Sequence, residues 1–169
     1  NPSTLAVRYP GWCHQMQVKV NGIPVSGAVK TDKGYWMIQR SWQPGDTVSC
    51  EMEMEPERVY AHPMVRADAG CVALRRGPII YTFEGVDNGE DLQTLRIPRE
   101  AKIEVLPYQA DLLEGIVALR VTGCRKKTAV NPALYAEDAA QEEVVTLQAI
   151  PYYAWCNRGM THMRVWMQE

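Results

Sequence analysis

Between Cys50 and Glu55 the chain alternates without a break. Cys50-Glu51-Met52-Glu53-Met54-Glu55 puts sulfur side chains on one face of an extended segment and carboxylates on the other. A half-buried β-strand satisfies that period of two; a helix, whose apolar positions recur every three or four residues, does not. The same beat returns at Val18 and Val20 against Gln17 and Lys19, and at Val117, Leu119 and Val121 against Ala118, Arg120 and Thr122. It returns again at Val145, Leu147 and Ala149, and at Met163, Val165 and Met167. The chain is expected to be all-β and antiparallel, with sheets that bury one face. Cys50, in phase with Met52 and Met54, is expected to be buried as a small hydrophobe.

The breaks between these segments are those of antiparallel sheets. Asn21-Gly22 directly follows a strand pattern and predicts a two-residue hairpin, because both central positions of a type I′ turn need positive φ. Pro44-Gly45-Asp46 separates a strand at Tyr35–Arg40 from one at Val48–Met54. Gly77-Pro78 separates Cys71–Arg76 from Ile79–Phe83. Helix signals are few. Asn131 as a cap with Pro132 at the first helical position starts either a short helix or an alanine-rich, acidic loop. Asp87–Arg96 reads as an exposed loop.

Many short strands with turns between them indicate β-sandwiches. A boundary is expected near Arg66–Gly70, giving an incomplete first sandwich over residues 1–68 and a complete C-terminal sandwich over residues 69–169. The chain opens Asn1-Pro2-Ser3-Thr4, which reads as a fragment or a processed piece with no targeting segment at its start.

With 169 residues, 46% hydrophobic and 22% charged, the composition is that of a globular chain, and no apolar run is long enough to span a bilayer as a helix. A net charge of −2 supplies no field for nucleic acid or anionic lipid, so neither nucleic acid nor membrane is expected as a partner. The five cysteines (Cys13, Cys50, Cys71, Cys124 and Cys156) are odd in number and form no Cys-x-x-Cys pair. That points to reduced thiols and a cytoplasmic setting.

Candidate chemistry is sparse. His14, His62 and His162 are scattered, and neither Cys13-His14 nor Cys156 with His162 has the spacing of a structural zinc site. No Gly-x-Ser-x-Gly elbow is present. The run Glu51, Glu53, Glu55, Glu57 offers paired carboxylates of the kind glycoside hydrolysis needs, but four like charges on one strand face read as a solvated outer surface. Of the tryptophans, Trp36 and Trp155 read as core or interface residues and not as sugar platforms. The stretch Ile150–Met167 concentrates aromatic rings, Cys156 and Asn157-Arg158-Gly159. Here Asn157 and Gly159 suit a turn between late strands, and the forked donors of Arg158 suit carbonyls or a carboxylate. Trp155, Asn157 and Arg158 are therefore assigned a structural, interdomain or interface role, and no catalytic, substrate-binding or metal-ligating residue is assigned.

Several segments taken in order carry a family resemblance. They are Val7-Arg8-Tyr9-Pro10-Gly11-Trp12-Cys13, Val18-Lys19-Val20-Asn21-Gly22, Gly34 to Trp42 with Gly45-Asp46, Val72-Ala73-Leu74-Arg75-Arg76-Gly77-Pro78-Ile79-Ile80-Tyr81, and Ile150–Met167. Together they resemble the C-terminal region of the β-L-arabinofuranosidase family, glycoside hydrolase family 127. The resemblance implies a longer parent in which an (α/α)6 catalytic barrel precedes two β-sandwiches. It implies retaining hydrolysis of terminal β-L-arabinofuranosides by a zinc-bound cysteine nucleophile with a glutamate as general acid/base. The family's metal-binding cysteines lie in a Glu-x-Cys motif and a Cys-Cys pair. Neither motif occurs in this sequence, so no catalytic residue is transferred, and zinc is expected in the barrel and not in this chain. The expectation is a non-catalytic accessory region that braces its own upstream catalytic domain and takes part in a homo-oligomer. A stand-alone carbohydrate-binding module is the competing reading.

Overall fold

The computed structural model of the chain describes residues 2–26, 29–31, 33–127, 134–135 and 137–169. It is an all-β structure built almost wholly from antiparallel pairs. Two compact units divide between Glu55 and Pro56. The division falls ahead of Arg66–Gly70 because the strand Pro56–Val59 is hydrogen bonded to Cys71–Arg76 and so is part of the second unit.

Among the described residues the first unit holds six strands: β1 (Ser3–Arg8), β2 (Met16–Val20), β3 (Ile23–Pro24), β4 (Val29–Lys30), β5 (Tyr35–Arg40) and β6 (Val48–Met52). They form two three-stranded sheets, β1-β5-β4 and β3-β2-β6. The alternation explains the layering. Met16 and Val18 from β2 and Ile38 from β5 are buried with Cys13, and Val7, Trp36, Trp42, Val48 and Met52 pack against them. Asn21 and Gly22 take φ values of 52° and 79°, the two positive values that the β2–β3 hairpin requires. The Asn21 side chain then ties that turn to the next one: its Nδ2 donates to Asp46 Oδ1 at 2.7 Å, and its Oδ1 accepts from Thr47 N–H at 2.9 Å. Cys50 faces the same way as Val18 across the β2–β6 pair but is exposed, contrary to the burial expected of it. It lies on β6, an edge strand of its sheet.

The second unit contains β7 (Pro56–Val59), β8 (Cys71–Arg76), β9 (Ile79–Glu84), the single-turn helix α1 (Gly85–Asn88), β10 (Leu95–Arg96), β11 (Ile103–Val105), β12 (Leu119–Lys126), β13 (Glu142–Pro151), β14 (Met163–Arg164) and β15 (Met167–Gln168). Six of these strands pair in a closed circuit, β8–β9–β13–β12–β10–β15 and back to β8; β10–β15 is a parallel pair. The layers of this unit are thus joined at both margins around one core of Val72, Leu74, Tyr81, Phe83, Leu119 and Leu147 and their neighbours.

Two expectations change with the structure. Asp87–Arg96 is not an exposed loop: Leu92 and Leu95 lie in the core, and β10 is a rung of the circuit. The run Met163–Met167 is not one strand but two short ones, β14 on β9 and β15 on β8. The capping residues of the helix considered at Asn131, residues 131–133, lie outside the described residues. Leu134 and Tyr135, which would follow, are not helical.

β10 can close the circuit because of Gly123 on β12. A Cβ at that position would lie 2.9 Å from the Arg96 carbonyl oxygen and 2.3 Å from a Leu147 methyl. Only a residue without a side chain lets the two strands approach this closely.

Candidate functional site

The C-terminal stretch is organised around a buried carboxylate. Glu84 ends β9 with its side chain fully inaccessible, an arrangement that needs charge compensation and hydrogen bonds. It receives both. Arg158 Nη2 donates to Glu84 Oε2 at 2.5 Å, and the backbone N–H of Cys156 donates to Glu84 Oε1 at 2.7 Å. Arg158 also grips Asp87 on α1, through Nη1 at 2.8 Å and Nη2 at 2.5 Å. The hydrogen bond with Asp87 is the largest influence on Arg158. It outweighs desolvation and, helped by Glu84, raises the guanidinium's pKa further above its ordinary value. Arg158 Nε is buried without a hydrogen-bond partner among the described residues.

The surroundings lock the same corner. Gly85 N–H donates to the His162 carbonyl, and Val86 N–H donates to Thr161 Oγ1 at 3.1 Å. Gly85 has no room for a methyl group, since a Cβ would stand 2.8 Å from that hydroxyl. Asn88, also buried, donates through Nδ2 to the Glu84 and Gln148 carbonyls and accepts from Gln148 N–H, each at 2.9 Å. Its side chain thus pairs with β13 as a strand backbone would. Arg125 donates to the Asn88 carbonyl oxygen.

Beside this corner lies an open depression of about 620 Å³ lined by Leu113, Glu114, Tyr153, Ala154 and Asn157. Tyr152–Ala154 form a single tight turn after β13. Ala154 is buried in a small cluster with Leu106, Ile116, Ala118 and Ile150, while Tyr153 is 67% exposed. Leu113 and Glu114 hold φ values of 51° and 62°, and Cys156 holds 65°, uncommon for residues with a Cβ.

Of the residues singled out from sequence, Arg158 is engaged with Glu84 and Asp87 of its own unit, Asn157 is on the rim of the depression, and Trp155 is half-buried next to both. Glu84, Asp87, Glu114 and Tyr153 were not visible as site residues from the sequence. The acidic run splits: Glu51 pairs with Lys19 at 2.6 Å in the first unit, whereas Glu57 belongs to β7 in the second and receives Arg75. None of the five tryptophans is fully exposed; the open aromatic rings are tyrosines.

A metal site finds no ligand set among the described residues. The histidines are exposed, all five cysteines are free, and among the described residues no three His, Cys, Asp or Glu side chains are grouped to hold an ion. The zinc that the family resemblance implies does not fit these residues. Among the described residues no helix is long and apolar enough to cross a membrane.

Comparison with known proteins gives a consistent answer along the whole chain. A model of the glycoside hydrolase family 127 C-terminal domain matches residues 56–168, and a model of the β-L-arabinofuranosidase GH127 middle domain matches residues 1–54. The chain is 34% identical over 171 aligned residues to a non-reducing end β-L-arabinofuranosidase of Bifidobacterium longum subsp. longum, an alignment that takes in 96% of this chain and 25% of that protein. It superposes on the crystal structure of a GH127 β-L-arabinofuranosidase from Geobacillus stearothermophilus T6 with a TM-score of 0.92 and 46% identity, over 100% of this chain and 27% of the other. A further GH127 β-arabinofuranosidase structure gives a TM-score of 0.83 at 32% identity, over 99% of this chain and 28% of that one. The chain spans about a quarter of the length of the relatives it matches.

Proposed function

The chain belongs to glycoside hydrolase family 127, and from that premise we propose that it is the non-catalytic β region of a longer β-L-arabinofuranosidase-like enzyme. On this reading the parent hydrolyses terminal β-L-arabinofuranosides, with its zinc and nucleophilic cysteine in a separate catalytic barrel. The β region braces that barrel and contributes to contacts between subunits. One observation carries the reading: the two matched domain models account for the chain nearly end to end, yet the chain amounts to about a quarter of its relatives. The chemistry of the side chains agrees. The strongest charged constellation, Glu84–Arg158–Asp87, is consumed in holding its own unit together. Large exposed apolar side chains on the second unit, Val144 and Met160 among them, are the material of subunit contacts.

The test is hydrolysis of an aryl β-L-arabinofuranoside by the 169-residue chain, with zinc determined on the same sample, beside the same chain fused to the catalytic barrel of a family relative. The expected result is no turnover by the chain alone and turnover by the fusion. Turnover with bound zinc by the chain alone would overturn the reading. Light scattering checks the subunit contact separately: a dimer or larger species is expected, and a monomer at every concentration counts against it.

A further inference from the structure

We propose that the depression between Tyr153 and Glu114 is a binding subsite for a neutral sugar residue, of the terminal pentofuranoside class that the parent enzyme would handle. The identity of the sugar rests on the glycoside hydrolase reading. The site itself rests on geometry.

First, the depression is built on fixed backbone. Its one side is the tight turn Tyr152–Ala154, anchored through the buried Ala154. Its other side is the Leu113-Glu114 corner, where both residues hold positive φ. Non-glycine residues keep that conformation only where their surroundings enforce it, and such positions concentrate at ligand sites. The enforcement is visible. Gln109 and Ile116 form a bridge across the loop, and the exposed Tyr108 covers Gly115 so closely that a Cβ there would lie 1.8 Å from the phenol oxygen.

Second, the polar groups offered are mostly acceptors. Glu114 presents a carboxylate. Asn157 has its amide nitrogen engaged with the Ala154 carbonyl at 3.1 Å and the Trp155 carbonyl at 3.4 Å, which fixes the amide and leaves its oxygen to accept. An acceptor-rich rim suits a ligand made of hydroxyl donors, and the carboxylate disfavours phosphates, sulfates and acidic peptides. Third, the exposed ring of Tyr153 supplies the flat apolar surface on which the C–H face of a sugar rests, with its own hydroxyl at the edge. A cavity of about 620 Å³ falls within the range of small-molecule sites and holds one sugar residue with room for its linkage.

The experiment is a chemical-shift titration of the whole 169-residue chain with methyl β-L-arabinofuranoside across the millimolar range, beside methyl β-D-xylopyranoside. Expected are saturable shifts confined to Tyr153, Asn157, Glu114 and their neighbours, with affinity reduced about tenfold by Tyr153→Ala and by Glu114→Gln. Both replacements are at exposed or rim positions, and unchanged far-ultraviolet dichroism shows that the fold is kept. No saturable shift, shifts centred elsewhere, or equal response to both sugars would overturn the subsite. None of those outcomes affects the accessory reading, which stands or falls on the activity of the fusion.

Discussion

Arg158 and Glu84, 74 positions apart in the chain, meet at 2.5 Å with the carboxylate fully buried and the guanidinium one-fifth exposed. The pair joins the turn after β13 to the end of β9, and Asp87 extends it to α1. Breaking such a pair from one side strands a charge in the interior, which is more damaging than never having had the pair.

Arg158→Ala is therefore expected to destabilise the second unit by about 3 kcal/mol, since the fully buried Glu84 carboxyl loses its cation and two hydrogen-bonded partners lose their anchor. Urea denaturation followed by tryptophan fluorescence measures this. The double replacement Glu84→Gln with Arg158→Met should lose clearly less than the single one. Equal losses would mean the pair is not coupled.

Gly123→Ala should cost about 2 kcal/mol by forcing β10 away from β12. The Arg96 carbonyl is backbone and cannot swing aside as a side chain would. Hydrogen exchange at residues 95–97 and 124–125 should rise more than elsewhere. Uniform protection would show that the strands already have slack.

Tyr81 is buried in the core of the second unit, with its hydroxyl donating to the Val117 carbonyl at 2.9 Å. Desolvation raises its pKa above the ordinary value of 10.0, with Arg76 acting in the opposite direction. A group raised on folding contributes stability that is complete below its unfolded pKa and is lost as pH rises through the folded one. Thermal melts should thus weaken above about pH 10. Tyr81→Phe should lose about 1 kcal/mol at neutral pH but remove the share of that alkaline decline due to Tyr81.

On the acid side Glu142 reports in the other direction. Hydrogen bonds from Arg96, the nearest at 2.6 Å, hold its carboxyl below the usual 4.5. Its contribution is present above the unfolded pKa and lost as pH falls through the folded one. Replacement of Arg96 by Gln should move the Glu142 titration, followed by carboxyl carbon shifts, back up toward 4.5. An unmoved midpoint would show that the two groups are independent in solution.

Local rules carried the reading where the cause was local. The Asn21-Gly22 hairpin follows from the φ preferences of two adjacent residues, and strands β2, β12 and β13 follow from alternation. The misreadings have non-local causes. Cys50 has the right phase but lies on an edge. Leu92 and Leu95 sit in a polar-looking segment that β12 and β15 draw into the core. Glu84 is one carboxylate among many until its partner arrives from far along the chain, so nothing around Phe83-Glu84-Gly85 marks it as a buried charge. The depression at Tyr153 is assembled from two turns whose strained residues, Leu113 and Glu114, carry no sequence signature of positive φ.

The circuit of strands in the second unit also has a temporal meaning. Cys71 of β8 finds its neighbour in Gln168, and Arg96 of β10 finds the same residue, so the rung that shuts the ring is the last of this unit's strands in chain order. Closure of the ring waits for synthesis to reach β15. Folding of this unit is dominated by distant pairings, which makes it slow. A chain cut short of Met167 would lack the rung between β8 and β10 and hold an open sheet dependent on chaperones.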